Sequence, residues 1–132
     1  MKILSLDVGQ SRIGSAIGDS EIGIAFAREV ILNNSVCFEK IKIICWQEKI
    51  EKIIIGLPLF LTGQESEQSK NVKLFAHRLK KVLPKEISVQ FFDERFSTQE
   101  AERKIKEIKK KGLVKDNDCL AAANFLQTFL EK

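Results

Sequence analysis

The sequence predicts an α/β fold: a mixed five-stranded sheet, with a three-strand antiparallel meander followed by βαβ units and helices on its faces. Two observations carry this. The first 32 residues hold three short apolar stretches joined by short, glycine-bearing connections, as an antiparallel meander requires. Further on, Ile53-Ile54-Ile55 and the alternating Ile87 to Phe92 stretch are separated by an amphipathic helical pattern, the arrangement of a parallel crossover.

Taken in order, residues 2–7 and 12–18 are expected as the first two strands, and Gly23 to Leu32 as the third, closed by Asn33-Asn34. Ser35 is placed to cap a helix through about Lys49, with Cys37, Ile41, Ile44 and Cys45 at helical spacing. The β-branched run at 52–56 reads as a central strand buried on both faces, and it leads into Leu57-Pro58-Leu59 and a loop to Glu65. The helix from about Ser66 to Leu83 aligns Val72, Phe75, Ala76, Leu79, Val82 and Leu83 on one stripe and stops at Pro84. His77 falls off that stripe, which makes it an exposed helix residue and no candidate base. After the strand at 87–92, Ser97 and Glu100 form a capping-box pattern for a charged helix to about Lys111. Asp116-Asn117-Asp118 then opens a last helix buried through Ala122, Phe125, Leu126 and Phe129.

At 132 residues the chain is expected to form one domain, 1–132, able to bury a core without staples. Its 44% hydrophobic and 30% charged content is ordinary for a globular protein. No apolar run approaches the length of a membrane span, and no basic leader precedes the first strand, so the cytoplasm is the expected compartment and a membrane is not an expected partner. Cys37, Cys45 and Cys119 lack metal or redox spacing and read as small buried hydrophobes. The net charge of +4 permits a polyanionic partner without demanding one. Basic residues gather late, at Arg103, Lys104, Lys106, Lys109, Lys110, Lys111 and Lys115, a pattern that suits a solvated helix face as well as a nucleic-acid footprint.

Three acidic positions lie where regular elements end. Asp7 closes the first strand, Asp93-Glu94 the last one, and Asp118 begins the final helix on its buried stripe. Each has a bland role open to it: a turn former, a partner for Arg95, an acid favoured by the helix dipole. Brought together, three carboxylates repel unless hard cations such as Mg²⁺ or Mn²⁺ hold them, and a pair of such ions can drive phosphodiester hydrolysis.

Four blocks in order extend this reading. Leu6-Asp7-Val8-Gly9-Gln10-Ser11-Arg12-Ile13-Gly14 resembles the N-terminal signature of the YqgF/RuvX family. Ile55-Gly56-Leu57-Pro58-Leu59 with Thr62-Gly63, Asp93-Glu94-Arg95-Phe96-Ser97-Thr98-Gln99-Glu100-Ala101, and Asp118-Cys119-Leu120-Ala121-Ala122 with Phe125-Leu126-Gln127 resemble its later motifs. Ser11 departs from the usual basic residue and Phe60 from the usual polar one. The resemblance implies an RNase H-like fold and metal-dependent nuclease action. Family members are described both as nucleases maturing the 5′ end of pre-16S rRNA and as Holliday junction resolvases. Carried onto this chain, the family implies Asp7, Glu94 and Asp118 as metal-binding catalytic carboxylates, and Arg12 and Arg95 as phosphate contacts.

On this footing Leu57 and Pro58 are expected to line the substrate groove, and Lys109 and Lys110 to track phosphates. Structured RNA is the favoured partner and branched DNA the other, bound by a monomer or weak homodimer. The reading from another class is a non-catalytic nucleic-acid or ribosome-assembly binding module.

Overall fold

A computed structural model of the chain describes residues 1–112 and 119–132. Its sheet is built from β1 (Lys2–Val8), β2 (Arg12–Asp19), β3 (Ile24–Ala27), β4 (Ile31–Leu32), β5 (Lys52–Leu57) and β6 (Ser88–Asp93). The main path runs β3-β2-β1-β5-β6, with β4 also on β2. The meander is antiparallel, while β5 pairs with β1 and β6 pairs with β5 in parallel. This is the expected five-stranded mixed sheet, with one refinement. The third strand is interrupted: Ile13 faces Ile31 and Ala16 faces Ala27, so two residues of β2 stand opposite three residues, 28–30. The extra residue is a bulge, stitched by Arg28 N–H to the Ser15 carbonyl (2.8 Å) and by Ser15 Oγ to the Glu29 carbonyl (2.6 Å).

Helices α1 (Cys37–Glu48) and α2 (Glu67–Val82) cover one face of the sheet. Alternation along the strands sends Leu4, Leu6, Val8, Ile53 and Ile55 into a core with Ile41, Cys45, Val72, Phe75 and Leu79. Helices α3 (Gln99–Lys110) and α4 (Leu120–Leu130) cover the other, where Ile3, Ala16, Ile54 and Phe92 meet Ile105, Ala122, Phe125 and Leu126. Ile53, Ile54 and Ile55 are fully buried, so the β-branched run does serve two cores at once. Helix α4 sits close on the sheet because small residues allow it. A Cβ on Gly18 would lie 2.7 Å from a Leu130 methyl. Ser5, fully buried, donates from Oγ to the Ala122 carbonyl (2.9 Å), a bond that ties β1 to the first turn of α4.

Two caps differ from the sequence expectation. Helix α1 takes Val36, not Ser35, as its N-cap and has no side-chain cap bond. Asn34 Oδ1 accepts the Val36 N–H (3.1 Å), an Asx turn that carries the chain one residue past Ser35. Helix α3 is capped by Thr98, whose hydroxyl accepts from Ala101 N–H, and not by Ser97. Ser97 instead closes a single 3₁₀ turn, Glu94–Phe96, by donating its N–H to the Glu94 carbonyl. At α2, which starts where the sequence places it, Ser66 is the cap, in a box with Ser69. All three cysteines are buried thiols, and burial pushes Cys45 up to about 11. No described helix is long and apolar enough to cross a membrane.

Candidate active site

The carboxyl ends of β1, β5 and β6 lie side by side, because parallel pairing sets Leu6 beside Ile55 and Gly56 beside Phe92. Asp7 ends the first of these strands. Side chains alternate along β1, so Asp7 shares its face with Ile3 and Ser5, the face covered by α4. It is half-buried, and that burial alone raises its pKa. Across the other neighbour, Asp7 pairs with Gly14 in β2, opposite the bulge.

Glu94 comes from the 3₁₀ turn that follows β6. Its side chain lies back over the sheet against Gly56: a Cβ built there would stand 3.1 Å from both Glu94 Cγ and Cδ, and 2.8 Å from the Phe125 ring. Gly56 therefore clears the space through which Glu94 reaches the α4 face beside Asp7. The consequence is electrostatic. Burial first, then the Asp7 and Asp93 charges, push the Glu94 carboxyl up to about 7. A half-buried carboxyl held beside a second one, at a sheet edge, is the environment expected of a functional acid.

Asp93 is differently occupied. It accepts from Arg95 N–H and from the guanidinium, with Nε 3.0 Å from either carboxylate oxygen, and these bonds hold its pKa low. Of the two adjacent acids, Asp93 is committed to Arg95, and Glu94 is the one that faces Asp7. Arg95 also donates from Nη1 to the Leu61 carbonyl (3.4 Å) and passes beside Gly63, so it pins the 59–65 loop. That loop is a small hairpin closed by a bridge between Leu59 and Glu65. Leu57 ends β5 opposite Asp93, and the Pro58 carbonyl accepts from Ser66 Oγ (2.7 Å), so both are fixed at the rim of the site.

Arg12 opens β2 after a tight turn in which Gly9 N–H donates to the Arg12 carbonyl (2.8 Å). Lys109 and Lys110 lie in the last turn of α3, about 16 Å along the helix from its start near Glu94. Lys110 stands 3.7 Å from Glu107, while Lys104 and Lys106 pair with Glu100 and Glu102, so much of the basic tract is balanced on its own helix. Asp118 and Lys115 lie outside the described residues. The chain resumes at Cys119, whose sulfur accepts from Ser15 N–H (3.4 Å), next to the Gly14 that faces Asp7.

Among the described residues no cluster of three or more His, Cys, Asp or Glu stands ready for a metal. The two that meet, Asp7 and Glu94, offer only carboxylate oxygens in a setting that disfavours their charges. That donor chemistry fits a hard divalent cation, whose charge would offset the penalty each anion bears.

Three positions escaped the sequence reading. Gly56, inside an otherwise β-branched strand, is a signal of close approach that could have been read. Gln68 donates to the Val8 carbonyl (2.6 Å) and Asn33 Nδ2 to the Gly9 carbonyl (2.8 Å), together fixing the chain just beyond Asp7. These are long-range contacts with no local sequence signature.

A family model described as RuvX, Holliday junction resolvase, matches residues 1–132. A protein of Sulfurihydrogenibium sp. named "Putative pre-16S rRNA nuclease" is 43% identical over 131 residues, covering 99% of this chain and 90% of the relative. A Malacoplasma penetrans protein of the same name is 33% identical, over 98% and 93% of the two chains. Among solved structures, Thermus thermophilus RuvC matches with a TM-score of 0.58 at 14% identity, over 98% of this chain and 94% of that one. The fowlpox virus Holliday junction resolvase matches at 0.58 and 15%, over 99% of each chain. At such identities these neighbours establish the fold, which is RNase H-like.

Proposed function

The chain belongs to the RuvX family, and from that membership we propose that it is a nuclease hydrolysing phosphodiester bonds in structured RNA, with 5′-end processing of pre-16S rRNA as its task. The observation that carries the proposal is the meeting of Asp7 and Glu94 over Gly56, at the carboxyl edge of the sheet.

Asp7 and Glu94 would hold a Mg²⁺ or Mn²⁺ ion, with Asp118 completing the set. The support for Asp118 is its neighbour Cys119, which the Ser15 N–H holds beside the Asp7 register. When bound, such ions stabilise charge on a phosphodiester and lower the pKa of water enough to yield a nucleophile at neutral pH. The protein's part is placement. Asp7 is paired with Gly14 of β2, and its neighbour Leu6 with Ile55 of β5, so its carboxylate needs little reorganisation. Glu94 is held by its short turn, and Asp93 keeps Arg95 and the 59–65 loop at the rim. Arg12 and Arg95 neutralise phosphate charge, Leu57 and Pro58 line the groove, and Lys109 and Lys110 meet phosphates farther along.

The purified chain and Asp7→Asn, assayed with Mn²⁺ and Mg²⁺ on structured RNA and four-way DNA side by side, test this. The wild type is expected to cut RNA, and Asp7→Asn to lose about 10³-fold or more. Absence of cutting by the wild type with either metal would refute the enzyme reading. The family description favours one second reading, a resolvase-like DNA endonuclease. Selective cutting of the four-way junction would decide for it. If the chain were instead a non-catalytic binding module, charge reversal at Lys109, Lys110 and Lys111 would abolish its cellular role while Asp7→Asn left it intact.

A further inference from the structure

On the opposite face of the sheet edge from Asp7 lies a recess of about 520 Å³. Its floor is Val8 and Gly9 with the paired rings of Phe38 and Phe75, whose centroids are 5.0 Å apart. One wall is the 33–35 loop. The other is a single stripe of α2, where Gln68, Asn71, Leu74 and Arg78 recur at helical spacing. Gln10 stands at the lip. The interior is rich in amides, and among the described residues that line it there is one cation and no acid.

We propose that this recess receives one unpaired nucleotide of the substrate strand, its base against the amides and its phosphate toward Arg78. The proposal rests on the nuclease reading above and names a subsite for it. Carboxamides present a donor and an acceptor together, as base edges do, and a guanidinium suits phosphate. The volume falls in the range of small-ligand sites. A polyanionic strand meets no lining carboxylate there. Leu74, 59% exposed at the rim, offers an apolar surface to a ring face.

Position supplies the rest of the argument. Gly9 is two residues beyond Asp7, within about 7 Å of it at strand rise. A strand lying over the Gly9–Arg12 turn thus passes from the carboxylates on one face to the recess on the other. The turn is held for that passage: Gln68 and Asn33 bind the Val8 and Gly9 carbonyls from the recess side. Their amides link the two places mechanically, leaving Gln10, Asn71 and Arg78 as the side chains to meet a nucleotide.

The test is binding and needs no cleavage. The ¹⁵N-labelled full chain, free of divalent metal, is titrated with the four common nucleoside 5′-monophosphates. The side-chain amides of Asn71 and Gln10 are expected to shift, and Asn71→Ala or Arg78→Ala to weaken binding about tenfold. A short single-stranded RNA with an abasic residue at successive positions forms the second arm. One position is expected to cost the wild type about tenfold in affinity, and to cost Asn71→Ala nothing further. Mononucleotides that leave these amides unmoved at millimolar concentration, or an abasic penalty equal in both proteins, would overturn the proposal. The second of these results would mark the recess as a site for free nucleotides. A chain that binds as expected but never cuts RNA refutes the nuclease reading and leaves the subsite standing.

Discussion

Glu94→Gln should make the metal-free protein more stable at pH 8. Folding holds the Glu94 carboxyl at about 7 against an ordinary 4.5, by burial and by the Asp7 and Asp93 charges. Below pH 4.5 both the folded and unfolded states carry the proton, and the folded state bears no penalty. As pH rises from 4.5 through 7 the unfolded chain ionises freely while the folded one resists, so stability falls across that window and the loss is complete by pH 8. At about 1.4 kcal/mol per tenfold change, the rise bounds the effect at about 3 kcal/mol. The site is open to solvent on one side, so screening reduces this to about 1–2 kcal/mol. Gln keeps the shape and removes the charge. Its melting temperature in EDTA at pH 8 should therefore exceed the wild type's by about 3–8 °C, with the gap narrowing at pH 5 and closing by about pH 4. Millimolar Mn²⁺ should then raise the wild type and narrow the gap, since the variant has lost a ligand. A variant no more stable than the wild type at pH 8, or a gap of equal size at pH 5, would refute the electrostatic account of the site.

Gly56→Ala places a methyl 2.8 Å from the Phe125 ring and 3.1 Å from Glu94, so urea unfolding should show a loss of about 1–3 kcal/mol, with cleavage falling as Glu94 is displaced. Ile54→Ala, at the fully buried centre of the sheet, should cost about 2–5 kcal/mol in the same assay without altering the site's metal response. Lys49 ends α1 in the left-handed region at φ 56°, where glycine fits without strain; Lys49→Gly should stabilise the fold by up to about 1 kcal/mol.

Much of this architecture is local in origin, and so legible in the chain. The Ile53-Ile54-Ile55 run and the stripe of α2 are dictated by burial periodicity, and the structure places them where that periodicity requires. What escaped was set by partners distant in sequence. The bulge at 28–30 depends on its register with β2. The shift of the α3 cap from Ser97 to Thr98 goes with the 3₁₀ turn at Glu94–Phe96 and with the bond from Thr98 N–H to Thr128 Oγ1 on α4. Within the candidate site, strand ends predicted Asp7 and the Asp93-Glu94 pair. Alternation alone left the choice between the two acids open; Arg95 claims Asp93, and Gly56 makes room for Glu94.

Gln127, buried on α4, accepts the Ala25 N–H and donates to the Gly23 carbonyl, each at 2.9 Å. Beyond joining helix to strand, this occupies backbone groups of the strand that borders the sheet. An outermost strand with open N–H and carbonyl groups is a template onto which another chain can add. One carboxamide thus closes part of this border to its neighbours in a crowded solution. The same residue that positions α4 also guards the molecule against self-association into extended β-structure.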